Sequence, residues 1–355
     1  MKRTVYKNMK INGEIVDLIA EDGVIAFIGK TNEAGYDCKG LTARAGLFDI
    51  HIHGLVGDDA YSPSLDKMCY TLAKEGVTSW LPTATPRSFD AIERACKGTS
   101  TAGAKIRGFH LEGPFVNMAK KGALNPAYIA TPTLALLDRC PRATYMTIAP
   151  EVDGAMDFIK EATKRGVRLA IGHTTSTHDV ALEAIRAGAN SLTHTFNAMP
   201  PFLHREPGPI GAAITGDAYV QVISDGFHLH PAVVLALYRI FGPERMILIS
   251  DSVRTAGMPD GEYDFDGQTV YVNDGKTLLK DGTISGATTL LSEDVRRAIS
   301  FGIPEEDAFR MASETPARFM GIKAGVLKEG YDADFALYDE TNHAVLTVID
   351  GSIIE

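Results

Sequence analysis

Hydrophobic and polar positions change their period along this chain. Two apolar runs, Glu14–Ile19 and Val24–Ile28, flank Asp22-Gly23, and this pattern predicts a β-hairpin. Near the other end, Asp334–Tyr338 and Val345–Ile349 also read as strands. Neither segment is long enough to bury a stable core by itself. The pattern predicts one small β domain assembled from residues 1–45 and 323–355, with the rest of the chain inserted between them.

Between residues 46 and 322, short apolar runs alternate with helix-like periods. Eight strands are predicted, at Leu47–Ile52, Val77–Pro82, Ile106–Leu111, Tyr145–Ala149, Val167–Ile171, Ser191–Thr193, Tyr219–Ile223 and Met246–Ser250. Helices are predicted between most of them, for example at Leu65–Glu75, Ala91–Lys97, Met156–Arg165, Asp179–Ala187 and Pro231–Phe241. Eight β/α units of this length predict a TIM barrel, an α/β fold whose functional groups lie at the C-terminal ends of the strands.

A doubly wound open sheet is the alternative architecture. No Gly-rich phosphate fingerprint follows the first strand, which favours the barrel. The Gly- and Asp-rich stretch Thr255–Gly286 predicts a loop or a β excursion near the site. Helices at Thr288–Phe301 and Pro304–Ser313 are expected to close the barrel.

Composition narrows the class of partner. The 355-residue chain is 45% hydrophobic and has a formal net charge of -10, which argues against nucleic acid binding through a basic surface. No stretch approaches the roughly 20 apolar residues that a membrane helix needs, and residues 1–7 lack the apolar core of a signal peptide. The four cysteines show no close pairing, so they are expected to be reduced. We expect a cytoplasmic protein that binds neither nucleic acid nor membrane.

Histidines and single carboxylates follow the predicted strands. Of ten histidines, seven lie at or just beyond a strand end: His51, His53, His110, His173, His194, His228 and His230. Glu112 and Asp251 also stand at strand ends. Because these ends meet at one rim of a barrel, the pattern predicts a metal-dependent hydrolase.

Chemistry assigns roles within this set. Glu112, His173 and His194 supply one carboxylate and two imidazoles. This ligand set suits Zn²⁺ or another borderline divalent ion with a position left open for water. His110, in phase with Glu112, is expected to orient it.

The residues at the end of the first strand offer a position for a second ion. His51, His53 and Asp251 could hold it, with Glu112 bridging the two ions. Asp251 is the expected proton acceptor for a metal-bound water whose pKa is lowered to about 7. His228 could polarise the substrate carbonyl.

Longer motifs resemble a known family. They are Gly46–Gly54, His110–Phe115, Lys120–Pro126, Gly172–Thr174, Thr193–Pro200, Arg205–Gly208, Asp225–His228, Ser250-Asp251, Ile284–Gly286 and Thr315–Ala317. The chain resembles the amidohydrolase superfamily, and within it the branch that deacetylates N-acetylamino sugar 6-phosphates. The resemblance spans nearly the whole chain and implies a barrel flanked by a small β-sandwich formed from both termini.

The resemblance also implies an activity. A metal-bound hydroxide would attack the acetamide of N-acetyl-D-glucosamine 6-phosphate, giving D-glucosamine 6-phosphate and acetate in amino-sugar metabolism. Asp251 would be general base and acid, and His228 would contact the reacting acetamide. Arg205 would bind phosphate from the neighbouring subunit of a homodimer. The other implied sugar- and phosphate-binding positions are Ala123, Asn197, Ala198, Ile284, Ser285 and Gly286.

Several alternatives remain open at this point. The ion is expected to be Zn²⁺, with Fe²⁺, Mn²⁺ or Co²⁺ as alternatives and one or two ions per subunit. The substrate could be the galactosamine epimer, or the chain could be another amidohydrolase such as a D-aminoacylase or a cyclic amidase. Such branches often carry a carboxylated lysine on strand four, where this chain has Ala149-Pro150-Glu151. A non-catalytic protein that binds a metal or a sugar phosphate is the alternative from another class.

Overall fold

The computed structural model describes residues 2–265 and 267–354, and its largest unit is a nearly closed parallel β-barrel. We number its strands one to eight: Leu47–Ile52, Val77–Ala84, Phe109–Glu112, Ala143–Ile148, Arg168–Ile171, Ser191–Leu192, Tyr219–Val222 and Met246–Leu248. Strand two pairs with strands one and three, and each later strand pairs in parallel with the next. The backbone N–H of Asp251 donates to the carbonyl of His51 (2.9 Å), which joins the end of the last strand to the first. The predicted barrel is confirmed.

The third predicted strand is interrupted. A two-residue piece, Lys105–Ile106, pairs with strand two before Phe109–Glu112 begins. Gly108 lies between the pieces with a φ of 139°, and a Cβ there would lie 2.2 Å from Thr144 Oγ1. The close approach to strand four therefore requires glycine at this position.

Ten α-helices lie among the described residues, and most of them pack around the barrel. They are Asp66–Lys74, Phe89–Ala95, Ala135–Arg139, Ala155–Lys164, His178–Ala187, Gly208–Thr215, Pro231–Arg245, Leu291–Ser300, Glu305–Met311 and Glu314–Met320, with 3₁₀ turns at Met118–Lys120 and Pro126–Tyr128. In the fourth of these helices, Ala155, Phe158, Ile159 and Ala162 are buried at helical spacing in the core that the helices share with the strands.

The barrel interior has its own apolar core. It contains Phe48, Ile50, Leu81, Tyr145, Ala170, Ile223, Ile247, Ile249 and Phe319. Because side chains fill this interior, the barrel is a packed support for the polar strand ends and not a pore.

Both termini contribute to a second sheet, as predicted. Its eight strands are Arg3–Ile11, Glu14–Glu21, Val24–Gly29, Tyr36–Asp37, Thr42–Ala45, Phe335–Tyr338, Ala344–Ile349 and Ser352–Ile353. Strand Phe335–Tyr338 pairs antiparallel with Thr42–Ala45, which joins the two ends of the chain. The architecture is a barrel with a small β-sandwich unit. The division into residues 1–45 with 323–355 and residues 46–322 is compatible with these strands, and we retain it as a proposal.

The stretch after strand eight forms the predicted β excursion. Its four antiparallel strands are Gly261–Phe265, Gln268–Asn273, Lys276–Leu279 and Ile284–Ala287. Phe265 and Val270 pack with Val253, and Ala123 packs against this cluster. Among the described residues, no helix combines the length and the apolar character needed to span a bilayer.

Candidate metal centre

Polar residues at the ends of the barrel strands converge on one pocket of about 360 Å³. The predicted site residues that line it are His53, Glu112, Ala123, His173, His194, Asn197, Ala198, His228, Asp251, Ile284, Ser285 and Gly286. His51 is fully buried beside them. The structure thus assembles one site from residues that lie far apart in the sequence.

Glu112, His173 and His194 form the first potential ligand group. Glu112 Oε1 lies 3.1 Å from Nε2 of His173 and 3.0 Å from Nε2 of His194. The two histidine Nε2 atoms are 3.1 Å apart. Three ligand atoms that converge in this way can hold one divalent ion.

His51, His53 and Asp251 form the second group. Asp251 Oδ1 lies 3.3 Å from Nε2 of His51 and 3.2 Å from Nε2 of His53. The Glu112 carboxylate also approaches both histidines, with Oε1 3.5 Å from His51 and Oε2 3.4 Å from His53. Glu112 therefore lies between the two groups, as a bridging ligand would.

The Nδ1 atoms of three histidines, on the side of each imidazole ring that faces away from the ligand groups, make hydrogen bonds that indicate whether these groups fit a metal. His51 Nδ1 lies 3.0 Å from Gln221 Oε1, His53 Nδ1 lies 3.2 Å from the carbonyl of Thr83, and His173 Nδ1 lies 2.8 Å from the carbonyl of Lys120. Because these partner oxygens only accept, each Nδ1 carries the proton, and a neutral ring then presents an Nε2 lone pair to the site. Lone pairs that face each other and a carboxylate need a cation between them, so the residues fit a divalent metal.

Several of these side chains are aimed by unusual backbone at the strand ends. His173, His194 and Asp251 have φ angles of 48°, 26° and 51°. Non-glycine residues rarely adopt this left-handed conformation, and such strain concentrates at functional sites. In each case the turn directly after the strand brings the side chain over the barrel.

Charge is concentrated in the same place. Burial alone would raise the pKa of Glu112, but the surrounding imidazoles, His173 first, hold that pKa well below its ordinary value. Burial likewise opposes ionisation of Asp251, yet His51 and His53 lower its pKa to about 2. Both carboxylates are therefore ionised at neutral pH, as metal ligands and proton acceptors must be.

His228 faces the pocket from the seventh strand end. Its Nδ1 lies 2.6 Å from Asp225 Oδ2, and its backbone N–H donates to Asp225 Oδ1 (2.8 Å). Burial tends to lower the pKa of His228, but Asp225 reverses this effect and raises it. No role for Asp225 followed from the sequence, although its position three residues before His228 was a usable signal.

The predicted substrate residues divide into two sets. Ala123, Asn197, Ala198 and the segment Ile284–Gly286 line the pocket that contains the ligand groups. Arg205 is exposed, lies against a different cavity and contacts His204. Within one chain, the structure does not bring Arg205 to the pocket.

His110 contacts different residues from those expected. Its Nε2 lies 2.9 Å from Thr147 Oγ1, its Nδ1 lies 3.4 Å from Thr83 Oγ1, and its ring packs edge-on against His51. The expectation that His110 orients Glu112 is therefore wrong. The hydrogen bonds of His110 go to the two threonines, and the imidazole ring of His110 packs against His51 at the end of strand one. Residues two apart share a strand face, but neighbours across the barrel decide which contacts each one makes.

Further residues that support the site were not predicted. Gln221, a polar residue in buried strand seven, holds His51, and only its polarity in an apolar run could have indicated this. Glu151 accepts hydrogen bonds from Asn117, Thr174 and Thr175 beside His173. Such outer contacts orient metal ligands.

Comparison with known proteins agrees with this geometry. The model of the family described as "Amidohydrolase family" matches residues 42–354. The chain belongs to the amidohydrolase family. This amidohydrolase is 34% identical to N-acetylglucosamine-6-phosphate deacetylase of Bacillus subtilis over 329 residues, covering 87% of this chain and 83% of the relative. It is 33% identical to N-acetylgalactosamine-6-phosphate deacetylase of Escherichia coli over 350 residues, covering 94% of this chain and 93% of the relative.

Solved structures show the same architecture. A mutant N-acetyl-D-glucosamine-6-phosphate deacetylase of Mycobacterium smegmatis, in complex with N-acetyl-D-glucosamine-6-phosphate, superimposes with a TM-score of 0.91 at 27% identity over 100% of both chains. The amidohydrolase fold and the two ligand groups together support a divalent metal cofactor.

Proposed function

We propose that this amidohydrolase removes the acetyl group from N-acetyl-D-glucosamine 6-phosphate, releasing acetate and D-glucosamine 6-phosphate. The observation that carries the proposal is the convergence in one pocket of His228 and two ligand groups, with Glu112 between them. Relatives named N-acetylglucosamine-6-phosphate deacetylase, which align with most of this chain, support this class of substrate.

The chain's own residues divide the work. A divalent ion held by Glu112, His173 and His194 would polarise the reacting groups and lower the pKa of a bound water. The Asp251 carboxylate, ionised at neutral pH, accepts a proton from the attacking water and returns it to the leaving amine. His228, held by Asp225, donates from Nε2 to the amide oxygen as negative charge develops there.

We propose Zn²⁺ as the ion, with Fe²⁺, Mn²⁺ or Co²⁺ as alternatives. Two imidazoles and one carboxylate suit any of these borderline ions. His51, His53 and Asp251 offer a second position, so we propose that up to two ions bind per subunit.

We propose that the protein is a homodimer and that Arg205 reaches the pocket of the other subunit. Two observations support this: Arg205 does not line its own pocket, and the nearby Phe202 and Leu203 are large apolar side chains, 43% and 47% exposed. A guanidinium binds phosphate oxygens in a bidentate manner.

We also propose a cytoplasmic location. The four free, buried cysteines support the expectation of a reducing compartment.

The primary test is acetate release from N-acetylglucosamine 6-phosphate by metal-loaded protein. We expect turnover that a chelator abolishes and that Zn²⁺ or another of the proposed ions restores. A folded, metal-loaded preparation without turnover on this substrate and on its galactosamine epimer would overturn the proposal.

The galactosamine epimer is a second candidate substrate, because the relative from Escherichia coli that is 33% identical is an N-acetylgalactosamine-6-phosphate deacetylase. Parallel measurement of kcat/KM on the two epimers decides between them. We expect the glucosamine substrate to give the higher value, and the opposite order would assign the chain to the epimer.

A further inference from the structure

A narrow cavity adjoins the pocket beside His53, one of the potential metal ligands. Its volume is about 10 Å³, and His53, Thr85 and Phe265 line both the narrow cavity and the pocket. An outer cavity of about 550 Å³ shares Tyr61 and Arg87 with the narrow one. The outer cavity reaches solvent, because exposed residues that follow strand two line it. The three cavities therefore form one route from the ligand groups to the surface.

Acetate, the smaller product of the proposed reaction, forms at the inner end of the pocket. The ligand groups must reach the acetamide carbon, so the amino sugar phosphate lies between acetate and the mouth of the pocket. We propose that acetate leaves by the narrow and outer cavities, and that Arg254 binds its carboxylate on the way. This role of Arg254 rests on the proposed function and adds a product-release site to it.

The route carries an excess of positive charge among its described residues. The cations that line the two cavities are Arg87, Arg254, Arg94 and Lys97, and the carboxylates that line them are Asp59 and Asp66. Lys97 also pairs with Glu93 (2.7 Å), which offsets part of this excess. The chain as a whole has a formal net charge of -10, so this local excess runs against the overall charge. A lining of one sign attracts small ions of the other sign, and acetate is an anion.

Arg254 can bind a carboxylate without losing its present contacts. Its Nη2 donates to the carbonyl of Gly57 (2.8 Å), which fixes the guanidinium at the narrow cavity. Its Nη1 lies 4.0 Å from Asp59 Oδ2, which is longer than a charge-assisted hydrogen bond of about 2.7–2.9 Å. A guanidinium has five N–H donors. Among the residues that the structure describes, Arg254 thus keeps donors for an acetate that passes.

Tyr61 closes the route between the narrow and the outer cavity, since it lines both. Its hydroxyl donates to the carbonyl of Thr85, and the Arg87 guanidinium lies 3.7 Å from the centre of its ring. A cavity of about 10 Å³ holds about one water molecule. Acetate is larger than water, so it passes only when the Tyr61 side chain turns aside.

Product inhibition of the holoenzyme tests this route. We expect acetate to lower kcat at saturating N-acetylglucosamine 6-phosphate, because acetate can enter by the route while the sugar phosphate fills the pocket. Arg254→Gln should raise the inhibition constant of acetate by ~10-fold, the loss associated with one charge-assisted hydrogen bond, and leave inhibition by glucosamine 6-phosphate unchanged. Arg254→Lys, which keeps the charge, should fall in between. Arg186→Gln, at an exposed helix position, is the matched control and should behave like the wild type.

Binding of ¹³C-labelled acetate, followed by NMR, gives a readout that does not depend on turnover. Acetate should bind the wild-type holoenzyme that is already saturated with glucosamine 6-phosphate, and it should bind Arg254→Gln ~10-fold more weakly. Purely competitive inhibition by acetate, no binding to the saturated wild type, or equal binding by the wild type and Arg254→Gln would overturn the route. Failure of the wild type to hydrolyse either phosphorylated epimer would instead overturn the proposed function, so the two failures are distinguishable.

Discussion

Glu112 belongs to one ligand group and approaches the histidines of the other. Its Oε1 lies within 3.1 Å of His173 and His194, and its two oxygens also approach His51 and His53. It is nearly completely buried, so the surrounding imidazoles, and a bound cation, must compensate its charge. A single side chain can play this part because its two oxygens point in different directions.

At the residue scale, Asp251→Asn tests the proton acceptor. The amide keeps the shape of the side chain but cannot accept the proton at neutral pH, so we expect kcat to fall by roughly 10²- to 10⁴-fold. Metal analysis should still find an ion, because Glu112, His173 and His194 are intact. Asp179→Asn, at an exposed helix position, is the control. Near-wild-type kcat in the Asp251 variant would show that another group accepts the proton.

Asp17 lies in the sheet formed by both termini, away from the two ligand groups, and it allows the pH dependence of folding stability to be tested. Burial tends to raise the pKa of Asp17, but backbone N–H groups of Thr31 and Asn8 and the Lys7 ammonium donate to it and lower the pKa to about 2. Because this folded-state pKa is below the unfolded value, the stabilisation is present above about pH 4 and is lost as the pH falls from about 4 through about 2.

We expect Asp17→Asn to lower the free energy of unfolding by about 1–2 kcal/mol at pH 7, a figure reduced for solvent screening of the Lys7 charge. The difference from wild type should diminish as the pH falls toward about 2. Denaturant unfolding of the two proteins at several pH values measures this. A difference that stays constant from neutral to strongly acidic pH would contradict the assigned cause.

At the element scale, hydrogen bonds connect the loops after strands three, four and five beside the two ligand groups. Glu151, after strand four, accepts from Asn117 Nδ2 (2.9 Å), Thr174 Oγ1 (2.5 Å) and the backbone N–H of Thr175 (2.5 Å). The backbone N–H of Asn117 in turn donates to the carbonyl of His173 (2.9 Å). Strand four thus supplies no residue to the two ligand groups, but its loop holds the turn that carries one.

This arrangement predicts that Glu151→Ala weakens metal binding. Loss of an outer contact that orients a ligand typically reduces metal affinity by ~10- to 100-fold. Glu151→Gln, which keeps one acceptor oxygen, should fall in between, and Glu161→Ala on an outer helix should have no effect. Competition with a chromogenic chelator measures the affinities, and equal values for the wild type and all three variants would contradict the prediction.

At the scale of the whole molecule, the metal groups join strands from opposite ends of the barrel sequence. His51 and His53 lie at the end of strand one, and Asp251 follows strand eight, where backbone hydrogen bonds between the two ends close the barrel. An ion bound here would connect the first and the last strand. Because an ion that binds only the folded chain stabilises it, metal binding and barrel stability are coupled.

We therefore expect chelation to lower Tm by several degrees and added metal to restore it. At a free ion concentration roughly 100 times Kd, the stabilisation is about 2.7 kcal/mol per site. Thermal denaturation followed by circular dichroism measures the shift. Glu112→Gln, which weakens both groups, should show a much smaller response to metal, and the same response in the two proteins would place the ion elsewhere.

Much of the fold follows from local patterns. Periodicity predicts the eight barrel strands, the hairpin around Asp22-Gly23 and the excursion after strand eight, because it reports which faces of the chain are buried. Glu112, His173 and Asp251 come at or just after predicted strand ends. They are therefore candidate site residues, because the parallel strands of a barrel all end at the same rim. The chemical identity of these residues and their shared rim were thus determined by the sequence alone.

Only the tertiary structure decided which of these residues contact one another. The way the twisted strands close and the connecting loops fold decides three features of the site. Glu112 lies between the two ligand groups, His110 packs against His51, and Arg205 lies outside the pocket of its own chain. Lys120 is a comparable case, because nothing local distinguishes it from Lys121, yet only Lys120 lines the described pocket. Periodicity determines the face on which a side chain lies, whereas long-range packing determines the distance between faces.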